Sequence, residues 1–419
     1  MLGNPDTSKS ATPLYQIALV ALLSINFGIV FFDRNALSFL GPFVVKDLGL
    51  SNTQVGNLAS ALSLTWACAA FGIGYVSDRL GSRKGVLIAA TVLFSACSFL
   101  SGIAGTFVAL LGARLLMGAA EGGIMPISQA LIAREVGPGL RGLAMGVTQN
   151  FGSNLLGSFA APVLLTAFAT AFGWRRAFFL AGAPGLVLAL LMLAMLREPQ
   201  GAATAAQGAP AQKLTLWQAL SERNVLICAV MSVLLVSYLV ICWSFMPLYL
   251  TKIRGYDAST ESWLMGTLGV SAAVGAFLIS GLSDFVGRRP MMILMPFIGV
   301  ILPLSALYYS GSVWVLAGLF FVGWGLNGIF PLFMATVPSE SVAPQHRATV
   351  FGLCMGSGEI LGGVLAPSLA GMAADRAGLP VILWIMLGLA LVSGLLAFGL
   401  RETAPRVLAQ AKPALAQAK

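Results

Sequence analysis

Twelve times along its 419 residues the chain runs through a mostly apolar stretch of about 20 residues or more, the length an α-helix needs to cross the hydrocarbon core of a bilayer. The stretches fall at 14–40, 53–76, 85–104, 107–133, 142–171 and 175–196, then at 224–251, 261–283, 290–309, 312–335, 348–373 and 380–400. Their apolar residues are continuous rather than alternating. That excludes the strands of a membrane barrel and leaves helices, which also satisfy their own backbone in lipid. Only 9% of the residues are charged, where a soluble domain carries roughly 25%. The expected fold class is an all-α membrane protein of twelve transmembrane helices. The first run is too long for a signal-peptide core and reads as a retained spanning helix.

An even number of spans puts both termini on one side. The termini and even-numbered loops hold sixteen of the 24 basic residues and the opposite loops hold six, so the termini are expected in the cytoplasm, at the inner membrane of a bacterium. The net charge of +9 belongs to this bias and not to nucleic-acid binding. The expected organisation is a six-helix bundle over 1–196, a cytoplasmic linker over 197–223, a second bundle over 224–401 and a disordered cytoplasmic tail over 402–419. The linker contains the small-residue run GAATAAQGAPAQ and ends in WQALSER, a candidate short interfacial helix.

The two bundles match at one offset. Asp78 and Asp284, Gly81 and Gly287, Arg83 and Arg289, Pro138 and Pro344, and Arg141 and Arg347 are each separated by 206 residues. The shared glycines Gly146/Gly352, Gly152/Gly358 and Gly157/Gly363 keep the same offset. Two halves built from one repeated unit place a substrate site at their interface, near the bilayer midplane.

The segment GYVSDRLGSRK, with Gly74, Asp78, Arg79, Gly81, Arg83 and Lys84, resembles the loop between the second and third helices of the major facilitator superfamily. GLSDFVGRR, with Asp284 and Arg288, is similar to its degraded second copy. The resemblance implies the major facilitator fold, two pseudo-symmetric six-helix halves, with these residues forming a cytoplasmic gate. In physical terms, an aspartate at helix ends can accept from backbone N–H groups and arginine and latch the halves. A solvated turn is the plainer alternative.

Five charges lie well inside predicted spans, away from their edges: Asp33, Arg34, Arg114, Glu121 and Glu359. Each costs about 2.5–3.5 kcal/mol at a helix centre, so they are expected to face the bundle interior and one another. Buried structural ion pairs are the plainer reading. With the first span ending near Leu40, Arg34 lies about 9 Å from its outer end, and Arg114 lies about 10 Å from the outer end of the fourth. Glu121 sits two turns deeper on the face of Arg114. A pair of planar guanidinium forks calls for an anion such as a carboxylate. A carboxyl withdrawn from water holds its proton more tightly, so Asp33, Glu121 and Glu359 are candidate proton carriers. Gln149, Asn150, Asn154, Tyr238, Trp243 and Asn327 are further candidates for the cavity lining, and helix packing is an equal alternative for each. At the 206-residue offset Arg34 and Arg114 become Val240 and Phe320, so charge recognition is confined to the first half.

FFDRNALS and RLLMGAAEG resemble the anion:cation symporter family within the superfamily. That family carries a D-R pair in helix 1 and R and E seven apart in helix 4, here Asp33, Arg34, Arg114 and Glu121. The resemblance implies that the arginines bind a substrate carboxylate and the acids carry or gate protons. Phe31 stands where sugar-acid members often have tyrosine. The function expected is uptake of a small organic anion with protons, by a chain acting as a monomer in the bilayer. A proton-driven exporter is the main alternative, but GSNLLGSFAAP lacks the exporter element G-P-x-x-G-G. A non-transporting sensor is a further one. Neither enzyme chemistry nor a cofactor or metal is expected: the five cysteines lie in apolar runs and the single histidine, His346, in a polar loop.

Overall fold

A computed structural model describes residues 12–80, 82–197, 216–343 and 346–409, with the side chains of 71–80 and of a few further positions, including Asn150, outside the description. It is helical throughout, and eleven helical segments are long and apolar enough to cross a membrane. In chain order they are α1 (Pro13–Leu48), then α3 (Arg83–Ile103), α4 (Phe107–Glu135), α5 (Leu143–Phe172), α6 (Trp174–Met195), α7 (Arg223–Lys252), α8 (Ala258–Val286), α9 (Arg288–Tyr308), α10 (Val313–Glu340), α11 (Thr349–Ala377) and α12 (Pro380–Ala397). Between α1 and α3 runs α2 (Asn52–Leu80), a further helix of 29 residues. These twelve rods are the twelve expected spans. Exposed apolar side chains such as Leu190, Phe277 and Leu278 cover the outside, as a lipid-facing surface requires.

One boundary differs materially from expectation. The first span does not stop near Leu40 but bends at Asn35 and continues to Leu48, where Gly49 takes the left-handed conformation (φ 61°) and ends it. The proline at 42 does not stop it. Arg34 therefore lies fourteen residues from that end of the helix, about 21 Å rather than 9 Å. Equal depth with Arg114 cannot be argued from helix ends.

Several membrane helices leave α geometry mid-span. In α5 the stretches Val147–Phe151 and Ser153–Ala160 are π-helical, and in α11 so is Gly358–Leu365. Each wide turn runs into a proline, Pro162 or Pro367, whose missing N–H leaves a carbonyl four residues back without its usual donor. Matching irregularities at nearly the repeat offset are the structural form of the internal duplication.

The halves α1–α6 and α7–α12 meet most intimately on the face away from the termini. There the Asp375 carboxylate of α11 accepts from the backbone N–H groups of Asn52 (2.9 Å) and Thr53 (2.8 Å) and from the Thr53 hydroxyl (2.6 Å), capping α2 across the interface. Ser368 donates to Asn57 (2.8 Å) and pairs with Ser60 (2.7 Å). Two glycines make this closure possible. A Cβ on Gly56 would enter the Pro367 carbonyl, and one on Gly269 would enter the backbone of Ser158.

On the terminal face, Arg288 pairs with Asp284 (2.6 Å) and Glu340 (3.3 Å), and the Glu402 carboxylate caps α9 through the Arg288 and Arg289 N–H groups (2.8 and 3.1 Å). All these partners belong to the second half, so among the described residues no contact of Asp284 or Arg288 bridges the two halves. The loop residue Gly81 and the side chains of Gly74, Asp78 and Arg79 lie outside the described residues. Arg83 starts α3, and Lys84 donates to the Leu193 carbonyl (2.7 Å) within the first half. Glu402 was expected to open a disordered tail, but it is bound and a helical turn follows at 405–409. Of the linker, a short helix at Leu216–Ser221 is described.

The three contacts of Asp375 are charge-assisted but solvent-exposed, so together they hold the far face shut by about 1 kcal/mol. Asp375→Ala is expected to raise the accessibility of the cavity from that face about fivefold. The rate at which a membrane-impermeant maleimide labels Ala272→Cys from that side measures it, and an unchanged rate would show that the cap carries no weight in closure.

Candidate functional site

Between the halves lies a cavity of about 470 Å³, closed toward the far face. Its lining reaches outward only to residues such as Ser38, Val55, Ser244 and Ala272. Beyond them Leu40, Phe245 and Leu268 are fully buried.

The wall from the first half is polar. The bend of α1 is set by Asn35, whose amide donates to the Gly157 carbonyl of α5 (3.0 Å). It places Arg34 on the wall, with its guanidinium over the rings of Trp66 (5.2 Å) and Phe31 (5.8 Å). Arg114 also lines the cavity but is 1% exposed. Its guanidinium lies over the Phe178 ring (5.3 Å) and Nη2 donates to Ser101 Oγ (3.3 Å). Its Nε and Nη1 have no partner among the described residues. Gln149, Ser153 and Asn154 of α5 complete this wall.

Two of the expected acids stand behind the wall. Asp33 is fully buried between α1 and α3, and Glu121 is 1% exposed at the Gly122–Gly123 break of α4. Neither lines the cavity, yet both act electrostatically on Arg114. Both carboxylate oxygens of Glu121 and Oδ2 of Asp33 have no partner among the described residues. Ser98 Oγ lies 2.6 Å from Asp33 Oδ1 and 2.8 Å from the Phe178 carbonyl. One hydroxyl hydrogen cannot make a full, linear bond to both acceptors. A protonated Asp33 donating to Ser98, which donates onward to Phe178, satisfies the pair.

The opposite wall is largely apolar: Leu239, Trp243, Ala272, Ala276, Phe330 and Met334 face the arginines. Asn327 is there, its amide donating to the Trp324 carbonyl (3.1 Å). Glu359 is the one carboxyl among the lining residues described, and it interacts electrostatically with Arg34 across the cavity. Trp324 is 1% exposed, and its Nε1 has no partner among the described residues.

The structure thus brings Arg34, Arg114, Gln149, Asn327 and Glu359 to one cavity. Tyr238 is not among its lining residues, since its hydroxyl donates to the Gly299 carbonyl (2.8 Å) inside the second half. Asn150 has no described side chain. Sequence reasoning missed Trp66, Trp324 and Ser98. A tryptophan in mid-span rather than at the membrane interface was the available signal for the first two.

A central cavity between two duplicated helix bundles, with two arginines on one wall, is the architecture of a membrane transporter. The chain belongs to the Major Facilitator Superfamily, whose family model matches residues 23–354 and again 240–418. It is 28% identical to the hexuronate transporter of Bacillus subtilis over 369 residues, 83% of this chain and 85% of that one. It is 29% identical to the 3-(3-hydroxy-phenyl)propionate transporter of Escherichia coli over 380 residues, 88% and 89% of the two chains. Among solved structures a D-xylose-proton symporter superposes with a TM-score of 0.72 at 17% identity, covering 93% of this chain and 99% of that one. The two sequence relatives fit the anion:cation symporter resemblance, the solved structure shares the fold, and the chain is a transporter rather than an enzyme.

A lysine at 114 would keep the charge but lose the planar fork. Arg114→Lys is expected to weaken anion binding by about 10- to 100-fold, the loss of one to two charge-assisted hydrogen bonds. Equilibrium binding to the purified protein measures it, and affinity equal to the parent would remove Arg114 from the site.

Proposed function

We propose that the protein is a proton-coupled symporter that takes up an organic carboxylate by alternating access, with both termini in the cytoplasm. The observation that carries this reading is Arg114, buried on the cavity wall with Nε and Nη1 unpaired and Arg34 on the same wall. Two donors of this 1% exposed side chain await an acceptor, and a carboxylate supplies a planar pair of them.

The body of the substrate would lie against Trp243, Phe330 and Met334, and Trp324 Nε1 offers one donor at that end. A wall this poor in hydrogen-bonding groups leaves the hydroxyls of a sugar acid unpaired, at about 1–3 kcal/mol each. An aromatic or otherwise apolar acid meets no such cost. The hydroxyphenylpropionate relative is therefore the better guide to substrate than the hexuronate one.

Charge balance supports the proton coupling. The site holds two arginines and three carboxyls, so an incoming carboxylate leaves two negative charges uncompensated. Protons on Asp33 and Glu121 bring the loaded site to neutrality and let the halves rock around it. The shared hydroxyl of Ser98 supports a proton on Asp33 in the conformation seen. Glu359, facing Arg34 from the other half, competes with the substrate for that guanidinium.

Uptake of radiolabelled carboxylates into proteoliposomes, with and without an inward proton gradient, tests the reading. Gradient-dependent accumulation of aromatic monocarboxylates in preference to hexuronates is expected, and a preference for hexuronates would refute the account of the apolar wall. Glu121→Gln should still bind and exchange the anion but lose gradient-driven accumulation. Accumulation at the parent level in both Glu121→Gln and Asp33→Asn would show that neither carries the coupled proton. A reporter fused after Ala211 should read cytoplasmic.

A further inference from the structure

A third fully buried carboxyl, after Asp33 and Glu121, lies well away from the binding cavity. Glu261, in the first turn of α8, is 1% exposed, and its Oε1 has no partner among the described residues. Among the described residues burial is the one influence on its carboxyl, and no ion pair is formed. The charged neighbours at this end of the molecule are engaged or turned to solvent. Asp257 caps α8 through Ser259 and Thr260, which hold its carboxyl below the usual range, the Thr260 hydroxyl most of all. Arg254 donates to the carbonyls of Ala306 and Tyr309, Asp47 is bound by Arg175 and Trp174, and Lys46 and Lys252 are exposed.

Its position along α8 is informative. At helical spacing Glu261, Met265, Leu268 and Ala272 form one stripe. The neighbouring face, with Gly266 and Gly269, packs on Phe159 and Ser158 of α5, and Ser271 on the other side donates to the Phe321 carbonyl of α10. The stripe therefore faces between those helices. Its inner end, Ala272, lines the binding cavity. Met265 and Leu268 are fully buried in the apolar core they share with Phe39 and Val44 of α1 and Leu248 of α7. Glu261 thus sits on the far side of the apolar seal, eleven residues or about 16 Å from Ala272, at the end where the route from the far face to the cavity would open.

We propose that Glu261 is a proton-binding site of the outer gate: the gate closes over it only when its carboxyl is protonated, so closure takes up one proton from the outside. The reasoning is one of burial. An ionised carboxylate with no cation and an unpaired oxygen costs several kcal/mol inside a closed seal, whereas the neutral acid loses at most a hydrogen bond. When the gate opens, water reaches the group and ionisation is no longer penalised. The closed state then binds one proton more than the open one, and the closing equilibrium shifts by up to about tenfold per pH unit. The ionised group also gives the open vestibule a negative charge that disappears as the gate shuts. Asp375 acts in the opposite sense, since its protonation weakens the closed interface.

The proposal rests on the sidedness assigned above but not on the substrate or on accumulation. Its test is therefore made without substrate or gradient. In right-side-out vesicles of a Cys68→Ala, Ala272→Cys protein, the rate of labelling by an impermeant maleimide from outside, corrected for the reagent's own pH dependence, is followed between pH 5 and 9. It is expected to rise severalfold with pH, and Glu261→Gln should label slowly with the slope reduced by one proton. A parent protein whose labelling is flat with pH, or a Gln variant that keeps the parent slope, would overturn it. Because the parent alone can refute the idea, the test does not depend on the variant folding.

Discussion

An arginine withdrawn from water must find its counter-charge within the protein, and Arg114 sets the arrangement of much of the first half. It draws Asp33 from α1 and Glu121 from its own helix into electrostatic reach, and Phe178 of α6 and Ser101 of α3 onto its guanidinium. Every one of these groups lies in the first half. The helices that carry them pack through small residues. Carbonyls of Leu62 and Trp66 on α2 come so close to Gly118 and Gly122 of α4 that no Cβ would fit. The charged groups are therefore held by a scaffold with little slack, which a site of unpaired donors requires if it is to wait for an anion rather than collapse onto itself.

The interface between the halves has another character. It is sealed by backbone approach at Gly56 and Gly269, by serine contacts and by the single trans cap of Asp375. These contacts add little to the apolar seal of Leu40, Phe245 and Leu268, whose burial supplies the larger part of the closure. The wide turns before Pro162 and Pro367 occupy equivalent places in α5 and α11, at the rim of the same cavity. The duplicated scaffold kept these irregularities, whereas both cavity arginines and the acids behind them, Asp33 and Glu121, were placed on the first half only.

Much of this was legible in the residues. Apolar run length finds the twelve rods because lipid leaves the backbone no alternative, and Arg34, Arg114 and Glu359 stand out because a charge in such a run needs a reason. What could not be read was direction. Asp33 follows Phe32 and precedes Arg34, yet it points into the helix packing while Arg34 faces the cavity. Tyr238 and Trp243 are both aromatic residues of α7, but Tyr238 is turned inward by a carbonyl at Gly299 that no local pattern announces. Depth failed for a related reason, because the end of α1 is fixed by the left-handed Gly49 and not by any drop in hydropathy at Leu40. Glu261 was counted as the edge of a span, since only the tertiary seal reveals that it is buried.

The division of labour between the walls bears on how a cycle can be coupled. Since Asp33, Arg34, Arg114 and Glu121 all belong to the first half, rocking of the halves leaves their mutual distances unchanged. Movement alone then gives them no reason to change protonation; only solvent access and the arriving anion can do that. Two carboxyls are differently placed. Glu359 faces Arg34 from the other half, so their interaction strengthens or weakens as the halves turn. Glu261 lies in the seal and exchanges an apolar surrounding for water when it opens. Groups fixed within one half can register whether substrate is present, and groups at the moving boundary can register which way the cavity faces. Coupling as proposed needs both kinds of information, and in that reading they come from separate sets of residues.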